Sequence, residues 1–218
     1  VTVCALPLYH IFGFNTNMML GMRMGGCNVL IVNPRDIPSV LKDLSQQRFH
    51  SFPAVNTLFN ALANHPDFDK VAWSSLKISV GGGMAVQQAT ARLWLQKTGC
   101  PICEGYGLSE TSPSVTCNPV DATAYSGNIG LPMPNTELAL LDDDGSEVPL
   151  GAPGEIAGHF VNERHVLSGA EHVPVGAPGV ACLVIAARGE IRDPAVARLP
   201  AADDEVRTLL DRRRERTT

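Results

Sequence analysis

The order of elements along the first hundred residues constrains this chain most. Residues 1–6, 28–32, 49–55, 76–80 and 101–104 are apolar runs with the length of strands. Between them, residues 12–25, 36–47, 56–64 and 86–98 carry helical periodicity. In the second of these, Ile37, Val40, Leu41 and Leu44 recur on one face. Strands separated by helices join as crossovers, so neighbouring strands run parallel. The pattern therefore predicts an α/β fold with a doubly wound, mostly parallel sheet covered by helices. After Pro119 the texture changes. Residues 136–141 read as a strand, Asp142-Asp143-Asp144-Gly145 as a solvated turn, and residues 147–150 as a segment pairing back. The expected division is an α/β subdomain at 1–118, a β-hairpin region at 119–156 and an atypical tail at 157–218. The tail has no lysine and nine arginines. Within it, residues 180–187 are expected as a strand and residues 203–216 as a solvated helix.

Two glycine-rich segments follow strand candidates. Gly81-Gly82-Gly83 closes the fourth. Gly105-Tyr106-Gly107-Leu108-Ser109-Glu110-Thr111 follows the fifth. In open α/β sheets, ligands bind in the crevice beyond the carboxyl ends of strands, so chain order brings both segments to one rim. A ring there can stack on a nucleobase, and glycines let backbone approach a ligand. Hydroxyls can meet phosphate oxygens, and a carboxylate can hold Mg²⁺. That set suits a site that uses ATP. The alternative is an ordinary glycine-rich turn with a capping Ser or Thr.

Composition removes other classes. The chain has 218 residues, 44% apolar, with net charge −5. No basic stripe of the kind that binds nucleic acid is visible. No apolar run reaches the ~18–20 residues that span a bilayer, although peripheral membrane contact stays open. No secretory signal is apparent. The six cysteines are irregularly spaced, which argues against a disulfide scaffold and for a cytoplasmic protein with reduced thiols. Cys100-Pro101-Ile102-Cys103 is either a redox or zinc half-site or two thiols on a buried strand. The absence of a second such pair favours the strand. Val1 is not a natural start residue, so upstream sequence is expected.

Five ordered motifs resemble the acyl-CoA synthetase, luciferase and peptide-synthetase adenylation superfamily, and within it the bacterial long-chain fatty-acid–CoA ligases. They are Leu6-Pro7-Leu8-Tyr9-His10-Ile11-Phe12-Gly13, Leu58-Phe59-Asn60-Ala61-Leu62 with His65-Pro66, and Ser79-Val80-Gly81-Gly82-Gly83-Met84. The others are Glu104-Gly105-Tyr106-Gly107-Leu108-Ser109-Glu110-Thr111, and Ile129-Gly130-Leu131-Pro132 with residues 151–156. The likeness covers about residues 1–156. It implies part of the large domain of an adenylate-forming enzyme. A fatty-acid carboxylate attacks the α-phosphate of ATP and releases pyrophosphate. The thiol of coenzyme A then attacks the acyl carbon and releases AMP. Carried over by motif position, Glu110 holds Mg²⁺ and Tyr106 stacks on adenine. Gly81, Gly82, Gly83, Gly105, Gly107, Leu108 and Ser109 line the nucleotide and acyl pocket. Ser109 and Thr111 meet the phosphate side. His10 sits near the reacting carboxylate, or else is a hydrogen-bonded residue at a helix start.

The departures from the family set a second expectation. Its phosphate-cradling loop, rich in Ser, Thr and Gly with a Lys, belongs upstream of the first motif and is not found. No lysine follows Lys97, so the family's catalytic lysine is not found either. The tail reads like an out-of-frame translation of a GC-rich gene. The expectation is a truncated, frame-disrupted gene product with little ligase turnover alone. The rival is a non-catalytic nucleotide-binding or oligomerising module with the same fold.

Overall fold

The computed structural model describes residues 1–142, 144–149, 151–160 and 181–189, with backbone alone for 159–160 and 181–189. Two compact units are defined, Val1–Leu131 and Pro132–Thr218. The first therefore extends beyond residue 118, the division expected from sequence.

In the first unit the strands are β1 (Thr2–Cys4), β2 (Asn28–Leu30), β3 (Ser51–Ala54), β4 (Ile78–Gly81), β5 (Ile102–Gly107) and β6 (Ser114–Cys117). A two-residue β7 (Leu131–Pro132) ends the sheet, whose order is β2-β1-β3-β4-β5-β6-β7. From β2 through β5 every pairing is parallel, and β5 pairs with β6 antiparallel. The mostly parallel α/β sheet expected from the alternation is what forms.

The helices are α1 (Ile11–Gly13), α2 (Leu20–Arg23), α3 (Ile37–Ser45), α4 (Asn56–Ala63) and α5 (Gln88–Thr98). The chain winds from β1 outward to β2, steps back over β1 to β3, then continues to β4 and β5. Right-handed crossovers with a reversal of direction put the connecting helices on opposite faces. Hence α1 and α2 cover one face, and α3, α4 and α5 the other. The reversal beside β1 is a topological switch point, where such sheets open a crevice.

Local chemistry sets the boundaries. Asp36 caps α3: its carboxylate accepts from the Ser39 amide at 3.3 Å and the Ser39 hydroxyl at 2.8 Å. Gly99, at φ 71, ends α5 in the left-handed conformation. The single helix expected at 12–25 is interrupted. Between α1 and α2, residues Phe14–Met19 form a π-helix. There the fully buried Asn17 donates from Nδ2 to the Val3 carbonyl at 2.9 Å, pinning this arm to β1.

The core lies under α3, α4 and α5. Phe49, Phe52, Phe59, Phe68, Trp73 and Trp94 meet there, mostly edge to face. Trp94 is wholly buried and donates Nε1–H to the Ser79 hydroxyl at 3.0 Å. Val40, Leu41, Leu44, Leu58 and Leu62 fill the remainder, as their spacing predicts.

One expectation on strands is corrected. The fifth strand does not stop at residue 104. It runs through Gly105, Tyr106 and Gly107, because these pair with Cys117, Thr116 and Ser114 of β6. In the second unit, β8 (Thr136–Leu141) has its ladder with β9 (Gly154–Phe160), and the arm expected to pair back does so briefly, through an antiparallel bridge of Glu147 with Leu141 and the Val148 amide donating to the Leu140 carbonyl at 2.9 Å. The acidic turn is a turn: the Asp142 carboxylate accepts from the Asp144 amide at 2.8 Å. β10 (Ala181–Gly189) pairs antiparallel with β9, close to the strand expected at 180–187. The helix expected at 203–216 lies outside the described residues. Among the described residues no helix is long and apolar enough to cross a membrane.

Candidate functional site

Parallel strands place their carboxyl ends on one edge, and the segments leaving β1, β4 and β5 converge there. They enclose a cleft of about 330 Å³ within the first unit. From the β1 side come His10, Ile11, Phe12 and Thr16, and from β4 Val80, Gly82 and Gly83. β5 and the turn after it add Gly105, Tyr106, Gly107, Leu108, Ser109 and Glu110, and β6 adds Ser114 and Cys117.

The glycine corner is built by alternation along β4. Side chains of successive strand residues point to opposite faces. Ser79 meets Trp94 on the α5 face, and a Cβ on Gly81 would strike Val86 Cγ2 at 2.5 Å and Ile102 Cγ2 at 2.8 Å on that same face. Gly81 is thus a packing position behind the cleft and is not among its lining residues. Val80 and Gly82 face the other way. A Cβ on Gly82 would lie 3.0 Å from the Phe12 ring, so the missing side chain is what seats that ring beside the corner. Gly83 turns the chain at φ 75, where a side chain is strained.

Across the cleft, Tyr106 is half-buried, and burial pushes its phenol above the ordinary value. Leu108, Ser109 and Glu110 are exposed at the mouth. Ser109 and Glu110 make no side-chain hydrogen bond or ion pair among the described residues, which leaves a hydroxyl and a carboxylate turned to whatever enters. Thr111 differs. Its hydroxyl accepts from the Leu108 amide at 2.9 Å and donates to the Pro113 carbonyl at 2.7 Å. It ties the turn together and is not a lining residue. Asn15 of the π-helix donates to the Ser112 carbonyl, linking this turn to the opposite wall.

His10 caps α1. Its Nδ1 accepts from the Phe12 amide at 3.2 Å, which leaves the ring proton of the neutral form on Nε2. His10 thus starts a helix through one nitrogen and is also among the residues lining the cleft. Cys100 and Cys103 are buried, free thiols. Burial pushes Cys103 up to about 11. Cys103 lies on β5 and Cys100 just before it, and no cluster of three or more metal-ligating side chains occurs among the described residues.

Sequence reasoning named neither Phe12, Thr16 nor Cys117 as lining residues. Phe12 lay within a quoted motif. Thr16 and Cys117 reach the cleft only through the π-helix and the β5–β6 pairing, which leave no mark in local sequence.

Fold and cleft together define an open-sheet α/β protein with a glycine-cornered crevice beyond the carboxyl ends of its strands. Comparison with known proteins narrows this. The pattern of the AMP-binding enzyme family matches residues 1–169. The chain belongs to the AMP-binding enzyme family. It is 53% identical over 156 residues to a long-chain-fatty-acid–CoA ligase of Yersinia pestis, covering 72% of this chain and 28% of that protein. The corresponding ligase of Haemophilus influenzae is 47% identical over 154 residues, covering 71% and 27%. An anthranilate CoA ligase solved with anthranoyl-AMP superposes with TM-score 0.68 at 27% identity, covering 73% of this chain and 31% of that one. A benzoate CoA ligase from Burkholderia xenovorans, at 22% identity and TM-score 0.67 over 73% and 32%, shares the fold. The chain thus spans less than a third of the length of these relatives.

Proposed function

We propose that this chain carries the nucleotide side of an ATP-dependent long-chain fatty-acid–CoA ligase working through an acyl-adenylate. One observation carries the proposal: Tyr106, Gly82, Gly83, Ser109 and Glu110 border a single cleft although two of them come from a distant strand end. The ligases that the chain resembles at about half identity support the choice of acid and thiol.

In this reading Tyr106 offers a ring face to adenine. Gly82, Gly83, Gly105 and Gly107 let backbone stand close to the nucleotide, with Leu108 closing the mouth. Gly81 acts from behind by letting α4 and α5 seat against β4. Ser109 donates its hydroxyl to a phosphate oxygen. Thr111 holds the turn that presents Ser109 and Glu110. His10 aims an Nε2–H at the fatty-acid carboxylate, steadying the oxygen that attacks the α-phosphorus.

The donor set fits Mg²⁺. That ion keeps several waters and uses one or two carboxylates with substrate phosphates, and Glu110 is a single unpaired carboxylate at the mouth. When bound, it would neutralise charge developing on the phosphate oxygens. Fatty acid, ATP and coenzyme A are the proposed small-molecule substrates. The free thiols suit a cytoplasmic setting.

The test is titration calorimetry of this chain with ATP, with and without Mg²⁺, on the parent and Glu110→Ala. Metal-dependent binding, weakened at least about ten-fold in the variant (~1.4 kcal/mol), is expected. Binding indifferent to both metal and substitution refutes the proposal and favours a non-catalytic nucleotide module. Palmitate, ATP, Mg²⁺ and coenzyme A are expected to give little thioester with this chain alone.

A further inference from the structure

Three consecutive glycines have no side chains with which to anchor themselves, and glycine loses more conformational freedom on ordering than any other residue. Whatever holds the corner at Gly81-Gly82-Gly83 must therefore grip it from outside. Upstream, the corner is held by the β4 ladder. Downstream it runs through Met84 and Ala85, both exposed, to Val86 and the start of α5.

Val86 is gripped at both ends of its backbone. Glu104 Oε1 accepts from the Val86 amide at 2.9 Å. The Tyr125 hydroxyl donates to the Val86 carbonyl at 3.0 Å. The next amide, of Gln87, donates to Asn56 Oδ1 at 2.9 Å. Three distant places in the chain thus supply three side chains to two residues. Gln87 gives α5 no side-chain cap of its own. The acidic group that helix starts favour arrives instead from β5, which also suits the helix dipole.

We infer that Glu104 and Tyr125 form a positioning clamp on Val86 that fixes the glycine corner against the cleft. The consequence for ligand uptake rests on the nucleotide reading above, whereas the clamp itself does not. Glu104 is half-buried, outside the lining of the cleft, and aimed at Val86. Burying a carboxylate is unfavourable unless hydrogen bonds compensate it. Desolvation raises its pKa, and the Val86 amide pulls it back. A bond to a charged acceptor is stronger than a neutral one, which suits a turn whose glycines bring no side chains of their own.

The test is hydrogen–deuterium exchange, read by mass spectrometry on the intact chain, over peptides covering residues 82–87. Glu104→Ala and Tyr125→Phe each remove one jaw. Each is expected to speed exchange there about ten-fold, the effect of losing one strong hydrogen bond. Peptides covering β4 and β5 should keep parental rates, which separates a clamp from general loosening. Glu104→Gln retains an oxygen acceptor and should stay within about three-fold of the parent. Calorimetry with ATP and Mg²⁺ should rank affinities in the same order. Parental exchange in both Glu104→Ala and Tyr125→Phe, or a Glu104→Gln variant as fast as Glu104→Ala, overturns the clamp. A parent that protects residues 82–87 yet takes up no ATP overturns the nucleotide reading and leaves the clamp standing.

Discussion

Gly105 and Gly107 sit two residues apart on β5, and the structure separates them sharply. A Cβ on Gly107 would lie 1.6 Å from the Pro113 carbonyl oxygen, 2.6 Å from its carbonyl carbon and 2.9 Å from Ser114 Cα. All three are backbone atoms, so no side chain can swing aside. Real Cβ contacts essentially never fall under 3.0 Å, so the backbone at Pro113, leading into β6, must retreat by about 1.4 Å. That distance breaks the pairing of Gly107 with Ser114. Overpacking that side chains can absorb costs about 1–3 kcal/mol, and a rigid neighbour puts Gly107→Ala at the top of that range or above. On Gly105 a Cβ meets nothing closer than the Thr116 carbonyl oxygen at 3.6 Å, an ordinary contact. Gly105→Ala should be neutral, or stabilising by about 0.5 kcal/mol through lost unfolded-state freedom. In a unit of this size each kcal/mol moves the melting temperature by roughly 3–5 °C. Gly107→Ala should then melt about 10 °C or more below the parent, and Gly105→Ala within about 2 °C of it. Both tryptophans, Trp73 and Trp94, lie in the first unit, so their fluorescence reports its unfolding. Equal melting temperatures for the two variants would refute the assignment of Gly107 to close backbone approach.

Two further outcomes follow from the packing and the charges. Trp94→Ala should lower stability by about 3–5 kcal/mol in chemical denaturation, because it empties the centre of the aromatic cluster and leaves the buried Ser79 hydroxyl without its donor. Burial raises the Glu104 carboxyl in the folded state, so the native chain holds more protons there than the unfolded one just above the ordinary carboxylate range. This contribution to stability is full at low pH and is lost as pH rises through the raised value. Glu104→Gln should flatten that part of a profile of melting temperature against pH, and a profile unchanged by the substitution would contradict the assignment.

Much of the parallel sheet was legible because burial leaves a period. Val40, Leu41 and Leu44 mark the inner face of α3, and Asp36 and Gly99 mark helix ends through side-chain chemistry and φ. Ser109 and Glu110 were legible as a polar pair after a strand end. What escaped notice depends on partners far away in sequence. Gly105 to Gly107 look like loop, yet β6 recruits them into a ladder. The return arm after the acidic turn is short, and the longer ladder of β8 is with β9, which no local signal announces. Within the π-helix at Phe14–Met19, Asn17 bonds the Val3 carbonyl, a partner that local sequence does not reveal. Glu104 stands in sequence as one residue of a motif, and its grip on Val86 arises only when β5 lies beside the start of α5.

The strict alternation along β4 makes that strand a thin partition between two unlike neighbourhoods. Ser79 answers to an indole on one flank, and Val80, the very next residue, faces the crevice on the other. Disturbance of the aromatic side therefore has a route of one peptide unit into the crevice. Mutations chosen for their distance from the crevice should still be screened for whether they lean on this wall.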